Sequence, residues 1–422
     1  MIKPRNRQLN SSVSVLHIAM KARMLTAARP YLQLLALLTL TPPPSFYERV
    51  TQRCERLLLM LGFGCYSFCF LLLAIKVTYV NIVILNFEIL ILEVEDFTSA
   101  QGKIQKLCYP ILLAVIHGNM LIYFRKLGSI YVEIAALELD IEVASQSFVG
   151  LGKRFKFRQR LAKFIGLWLA FLIIAFPCVS VPSLTDYMDW YNKIFTEFIL
   201  MVLQLKIVEY GLFVVLVQEL LLRLRCSLIH LQQEFTTCEQ RVLLQALCVA
   251  LQRNKLLVAR VWKLVGELEV YYTLPMLFVF VNNGVAMLHI VNWAFIQTLN
   301  PNDCAYCRFT RFGNVMVLLI NLLIPCWLSQ NCIDTYQSIK RIIHNIRCSF
   351  GKCNPVQLSN VLREYALQME HLKLRFTCSN FFDINLRNFG GMVLTIVTYS
   401  VILIQFKLQD LVEAKRKLMQ KA

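Results

Sequence analysis

The stretch LLLMLGFGCYSFCFLLLAI, residues 57–75, contains no Asp, Glu, Lys or Arg. A helix of ~20 such residues, rising 1.5 Å per residue, crosses the ~30 Å hydrocarbon core of a bilayer. Residues 107–124, 164–185, 270–302, 312–333 and 388–406 are likewise uncharged for at least 18 residues each. The 270–302 run exceeds one crossing, and its lipid-buried part is expected near 271–296. A seventh stretch, 195–217, carries Lys206 and Glu209 inside it. A lone central lysine costs ~3 kcal/mol on insertion scales, but at i, i+3 the two charges share a helix face and can pair. Either they form a polar site facing the bundle, or they snorkel from a tilted helix. The uncharged run 77–87 lies between Lys76 and Glu88 and is too short to cross, so it extends the first span or forms a re-entrant piece.

Composition agrees with an all-α, polytopic membrane protein of seven spans. Of 422 residues, 57% are apolar and 17% charged, below the ~25% charged share of average soluble domains. Mean hydropathy is +0.55. The net charge of +18 comes from Lys and Arg set between apolar runs, which points to the anionic cytoplasmic leaflet of a lipid bilayer and not to nucleic acid. The fifteen cysteines lack the paired spacing of a disulfide-rich secreted domain and read as packing residues. Residues 31–40 imitate a signal peptide, but they follow Arg23 and Arg29 and end at Pro42, Pro43 and Pro44 without a small-residue cleavage site. A short amphipathic helix at the cytosolic membrane surface is expected there instead.

Orientation follows from the positive-inside rule. Residues 1–56 hold nine Lys/Arg, and 125–162, 217–268 and 330–384 hold seven each, whereas 78–106, 183–195 and 298–312 hold two, one and two. The amino terminus is therefore expected in the cytosol and the carboxyl terminus outside. The tail 407–422, with five Lys/Arg, is the exception and is outvoted by four loops. The domain plan is a cytosolic segment 1–56, a membrane domain 57–406 with cytosolic helical extensions 217–268 and 330–384, and an extracellular tail 407–422. This orientation is opposite to that of G-protein-coupled receptors. D-R-Y and N-P-x-x-Y are absent too, since Asn300-Pro301 and Asn354-Pro355 lack the needed Tyr. No heterotrimeric G protein is expected as a partner.

The last span reads Thr398-Tyr399-Ser400-Val401-Ile402-Leu403-Ile404-Gln405-Phe406. It resembles the T-Y, five residues, Q-F signature in the seventh helix of insect gustatory receptors, with Ser400 a mild departure in the spacer. The run 366–391, with His371, Phe376, Phe381 and Phe382 before Gly390 and Gly391, also resembles the family's final cytosolic helix and its approach to the membrane. The likeness is specific over about residues 360–406. It implies a ligand-gated cation channel in the plasma membrane of sensory neurons, opened by a small-molecule tastant and assembled as a homo- or hetero-tetramer whose seventh helices surround the pore. Apart from any family, the Gln405 amide lies in an otherwise apolar helix and should face protein or water. Thr398, Val401 or Ile402, and Gln405 share one stripe, and Phe406 can complete a hydrophobic constriction. Tyr399 belongs to the signature. A Gln that merely ties this helix to a neighbour is the plainer alternative.

The resemblance also implies a tastant pocket in the outer half of spans two to six, with Tyr109, His117, Trp190, Phe198, His289 and Trp293 as candidates. Interface belts of aromatic residues compete with that assignment. Leu358, Val361, Leu362, Tyr365, Met369 and Leu372 recur at helical spacing, either for the subunit anchor that the family implies or for packing within one chain. Cys304-Ala305-Tyr306-Cys307 can form a disulfide, hold two unrelated thiols, or bridge to Cys108 or Cys178. Asn10-Ser11-Ser12 is cytosolic in this scheme and should stay unglycosylated. Neither a phosphate-cradling loop nor a hydrolase motif occurs, so no enzyme, cofactor or metal site is expected. An odorant receptor subunit is the nearest competitor, and a secondary transporter coupled through Lys206 and Glu209 is a further one.

Overall fold

The computed structural model describes residues 22–48, 53–92, 96–146, 156–184, 187–237, 241–298, 305–349, 356–378 and 381–421. They form helices α1 (Arg23–Leu37), α2 (Ser45–Glu48), α3 (Arg53–Leu92), α4 (Asp96–Ile122), α5 (Phe124–Gln146), α6 (Lys156–Ser180), α7 (Trp190–Thr237), α8 (Arg241–Thr298), α9 (Ala305–Ser349), α10 (Val356–His371) and α11 (Leu386–Lys421). A two-stranded hairpin, β1 (Thr377–Cys378) and β2 (Phe382–Asp383), separates the last two helices. Among the described residues seven helices are long and apolar enough to cross a membrane: α3, α4, α6, α7, α8, α9 and α11. In lipid every backbone N–H and C=O must be satisfied internally, which is why these apolar runs are helical. The run 77–87 lies inside the unbroken α3, so it extends the first span and is not re-entrant.

Burial ranks the spans. Of the most apolar window of the α7 span, 83% is buried within the chain, against 28% for α3, while Ile396 alone is buried among the described residues of the α11 span. α7 is the central post, α3 presents apolar side chains such as Leu58, Leu61 and Phe68 outward, and α11 stands at the periphery. The 58 residues of α8 make a rod of ~87 Å, nearly three bilayer cores long, so much of it projects beyond the membrane.

Beyond one end of the bundle the projecting parts of α8 and α9 pack with α10. The helical-spaced stripe of α10 (Leu358, Val361, Leu362, Tyr365 and Met369) is buried inside the chain. Of the two uses open to that stripe, packing within the chain is the one observed. Tyr365 donates to Asn254 Oδ1 at 2.7 Å, Trp262 Nε1 to the Lys373 carbonyl at 3.1 Å, and Tyr336 to the Leu372 carbonyl at 2.6 Å. Burial raises the Tyr365 phenol well above its ordinary value, so it stays a neutral donor.

The amino-terminal helix departs from expectation. Its apolar face is covered by protein: Met24, Leu25, Ala28, Leu32 and Leu35 are buried in the core, against α5, α6 and α7. Both of its ends are held. Ala22 provides no side-chain cap, and the carboxylate of Glu138 on α5 accepts the Met24 N–H at 3.0 Å instead, at the positive end of the helix dipole. Burial pushes the Glu138 carboxyl upward, opposed by the Met24 N–H and by Arg223. At the other end the Leu40 N–H bonds to the Leu35 carbonyl at 3.0 Å and Thr39 N–H to Ala36 at 3.1 Å, a Schellman closure. Thr39 occupies the left-handed position with φ 60°, where a β-branched residue costs about 1–3 kcal/mol. Its hydroxyl is fixed at 2.9 Å from His117 Nε2.

The hairpin runs in antiparallel register, with Thr377 opposite Asp383 and Cys378 opposite Phe382. Thr377 donates to Glu269, and the Phe382 ring meets that of Phe280 edge-on at 5.1 Å. Asn385 Oδ1 then caps α11 by accepting the Asn388 N–H at 2.8 Å. α11 continues without a break past Phe406 to Lys421, so the expected tail 407–422 is helical over its described part.

Candidate functional site

At the bundle end opposite these projections, five spans leave a cavity of about 80 Å3 between them, several times the ~10–15 Å3 that one water needs. α4 contributes Gln105, Lys106 and Tyr109, and α6 and the short turn after it contribute Phe176, Ser180 and Ser183. Leu200 and Gln204 come from α7, Asn282, Asn283, His289 and Trp293 from α8, and Arg311 and Asn314 from α9. Lys106, His289, Trp293 and Arg311 also line an adjoining cleft that reaches Asn81 and Glu88 on α3.

The floor of the cavity is a closed set of amides. Gln204 Nε2 donates to Asn283 Oδ1 at 2.8 Å, Asn283 Nδ2 returns a bond to Gln204 Oε1 at 3.1 Å, and Asn321 Nδ2 donates to the same oxygen at 2.9 Å. Trp168 Nε1 completes it on Asn321 Oδ1 at 2.8 Å. Four spans are thereby stitched together by groups that would be costly to leave unpaired in an apolar interior.

Of the aromatic and histidine candidates read from the sequence, Tyr109, His289 and Trp293 line the cavity, with the His289 and Trp293 rings stacked at 5.7 Å. The other three lie elsewhere. His117 is buried against Thr39, Phe198 packs on Phe70 with centroids 5.8 Å apart, and Trp190 is exposed at the start of α7. The amides Gln105, Gln204, Asn282, Asn283 and Asn314 were not among the candidates, although polar side chains in apolar helices are a signal visible in the sequence.

Lys206 and Glu209 are both fully buried, which excludes snorkelling. Lys206 Nζ lies 2.5 Å from Glu209 Oε2 and 3.0 Å from the Leu40 carbonyl, beneath the Tyr271 and Tyr272 rings at 5.5 and 5.3 Å. Tyr272 donates to Glu209 Oε1 at 3.0 Å. The pair binds the end of α1 to the central span, so both charges are taken up in structural contacts.

On α11, Thr398, Val401, Gln405 and Phe406 are exposed, as are Tyr399 and Ile402. Thr398 returns its hydroxyl to the Leu394 carbonyl at 2.9 Å, as suits an apolar surround. Cys304, Ala422 and Asn10 to Ser12 lie outside the described residues, and Cys108 and Cys178 are free thiols.

A profile of the 7tm chemosensory receptor family matches residues 28–410. Putative gustatory receptor 98b of Drosophila melanogaster is 45% identical over 400 residues, covering 95% of this chain and 99% of that relative. Putative gustatory receptor 98c of the same species is 41% identical over 392 residues, covering 93% and 96%. Among solved structures, the insect olfactory receptor OR5 from Machilis hrabei in complex with eugenol superposes with a TM-score of 0.60 at 12% identity, over 90% of this chain and 98% of that one. A second structure of that receptor gives 0.56 at 11% identity. At such identities the likeness is one of fold.

Proposed function

Taking as premise that the chain belongs to the 7tm chemosensory receptor family and is a gustatory receptor by kinship, we propose that it works as a cation channel opened by a small tastant. The pore is lined by copies of α11 from four homologous or identical subunits. The observation that carries this reading is the bareness of α11: apart from Ile396 its span buries no described residue, yet it exposes the Gln405 amide. Facing lipid, that amide would be left unsatisfied; facing a wet axis shared with other subunits, it is solvated.

The chain sits in the plasma membrane of sensory neurons, with its amino terminus in the cytosol and the end of α11 outside, as the Lys/Arg distribution over alternate loops supports. A tastant in the cavity among α4, α6, α7, α8 and α9 shifts the balance between closed and open arrangements of α11. α8 offers a mechanical link, since Asn282 and Asn283 at the cavity lie close along the helix to Phe280, which packs on the hairpin that leads into α11. No chemical step is assigned to the chain.

The test is substitution of Gln405 by Leu and by Glu in cells expressing the chain with its partner subunits. A ring of carboxylates raises divalent-cation permeability and shifts the reversal potential, and Leu lowers conductance. Unchanged currents at normal surface expression would remove α11 from the pore.

A further inference from the structure

The cavity and the adjoining cleft share two cations. Lys106 of α4 and Arg311 of α9 line both spaces, together with His289 and Trp293 of α8. Both cations lie in membrane-crossing helices, where a charged side chain is costly and marks a partner or a solute. The Lys106 ammonium stands 5.8 Å from the centroid of the Tyr109 ring, another wall residue, and both cations act through their charge on the His289 ring. Against them, the described lining residues include one carboxylate. Glu88 of α3 borders the cleft and not the cavity, and acts on Lys106. Glu197 bonds to Ser180 of the wall at 2.5 Å but itself lines neither space. Arg311 has contacts besides these, yet a guanidinium carries five N–H donors and can hold more than one acceptor at a time.

We propose that the cavity binds small organic anions, with a carboxylate held by Lys106 and Arg311 and a compact apolar body set against Trp293 and Phe176. The proposal rests on reading the cavity as the tastant site and adds its chemistry. A carboxylate brings negative charge to a place where cations outnumber the acidic side chains lining it, in a surround of low dielectric that strengthens the attraction. An ammonium meets like charge in both spaces. An uncharged molecule of the same shape fills the apolar part and gains nothing from the cations. α4 and α9 both pack on α8, so a carboxylate bridging Lys106 and Arg311 ties together the spans on either side of the helix that leads to the hairpin and α11.

The test uses benzoate, phenylacetate and hexanoate, each paired with its carboxamide and with the primary amine on the same carbon frame, at neutral pH, where the carboxylates and amines are ionised. Half-maximal concentrations for current are measured in cells expressing the full chain and its partner subunits, with surface expression followed for every variant. Carboxylates should act, about tenfold or more below the concentrations their carboxamides need. Lys106→Met and Arg311→Met should each weaken the carboxylates about tenfold and leave the carboxamides little changed. Glu88→Gln, which removes no cation, should strengthen the carboxylates alone. Lys106→Glu should shift preference toward the amines, a reversal that general loss of folding does not produce. Carboxamides equal to or better than carboxylates, with potencies that fall in Trp293→Ala, overturn the anion class but leave the cavity as the site. Carboxylate potency unmoved by Lys106→Met, Arg311→Met and Trp293→Ala overturns the site itself. Silence from every carboxylate, with the chain at the cell surface, overturns the proposal as well.

Discussion

Replacing Lys206 by Met tests whether the buried pair holds the central span to the amino-terminal helix. Loss of the ammonium removes the 2.5 Å contact with Glu209 and the 3.0 Å bond to the Leu40 carbonyl, leaving the carboxylate only the Tyr272 hydroxyl. Stranding one partner of a fully buried pair costs about 3–5 kcal/mol. The double variant Lys206→Met/Glu209→Leu strands no charge and leaves the Leu40 carbonyl and the Tyr272 hydroxyl unmatched, about 1–3 kcal/mol each, whereas the single variant leaves the same Leu40 carbonyl unmatched in addition to its stranded carboxylate. The double variant should therefore be more stable than the single one, with a coupling energy of about 2 kcal/mol or more. A solvent-exposed i, i+3 pair would give about 0.3–0.5 kcal/mol. Equilibrium unfolding of the purified receptor in mixed micelles measures these differences, with surface expression as a second readout. A single variant within ~0.5 kcal/mol of the native chain, or strictly additive effects, would refute the reasoning.

Other expected outcomes follow from close contacts and from orientation. A Cβ on Gly211 would stand 2.4 and 2.7 Å from atoms of the Trp168 ring, which is itself bonded to Asn321, so Gly211→Ala should cost about 1–3 kcal/mol in overpacking. Gly284→Ala meets nothing within 4 Å and should be neutral or stabilise by up to ~1 kcal/mol; equal thermal stability of the two variants in detergent would contradict the packing described. Tyr365→Phe deprives Asn254 Oδ1 of its 2.7 Å donor and should cost about 1–3 kcal/mol, read as faster proteolysis of the α10 region without loss of membrane insertion. In unpermeabilised cells a tag after residue 422 should bind antibody and a tag before residue 1 should not; the reverse result would invert the proposed orientation.

The spans were legible because lipid imposes a long-wavelength pattern: uncharged runs of fixed minimum length register in a single sequence without knowledge of partners. The charged span was legible too, since Lys206 and Glu209 are three residues apart. Their third partner was not, because the Leu40 carbonyl lies 166 residues away and carbonyls have no sequence signature. For the same reason α1 was expected on the surface: its apolar face is visible in the sequence, but whether lipid or protein covers it depends on a distant acceptor and a distant cap. Three of the six ring-bearing candidates line the cavity, whereas His117 and Phe198 pack elsewhere and Trp190 is exposed. The amides were the better guide, because a polar side chain in an apolar helix needs a reason to be there, whereas an aromatic one does not.

The docking of α1 also constrains biosynthesis. This helix is translated before α7, yet the groove that receives it is completed only once α7 has been made. During that interval Met24, Leu25, Leu32 and Leu35 have no final seat, and Lys206, on arrival, finds its backbone acceptor only if the waiting segment has been kept nearby. A chain that ends before α7 therefore keeps part of the greasy face of α1 uncovered.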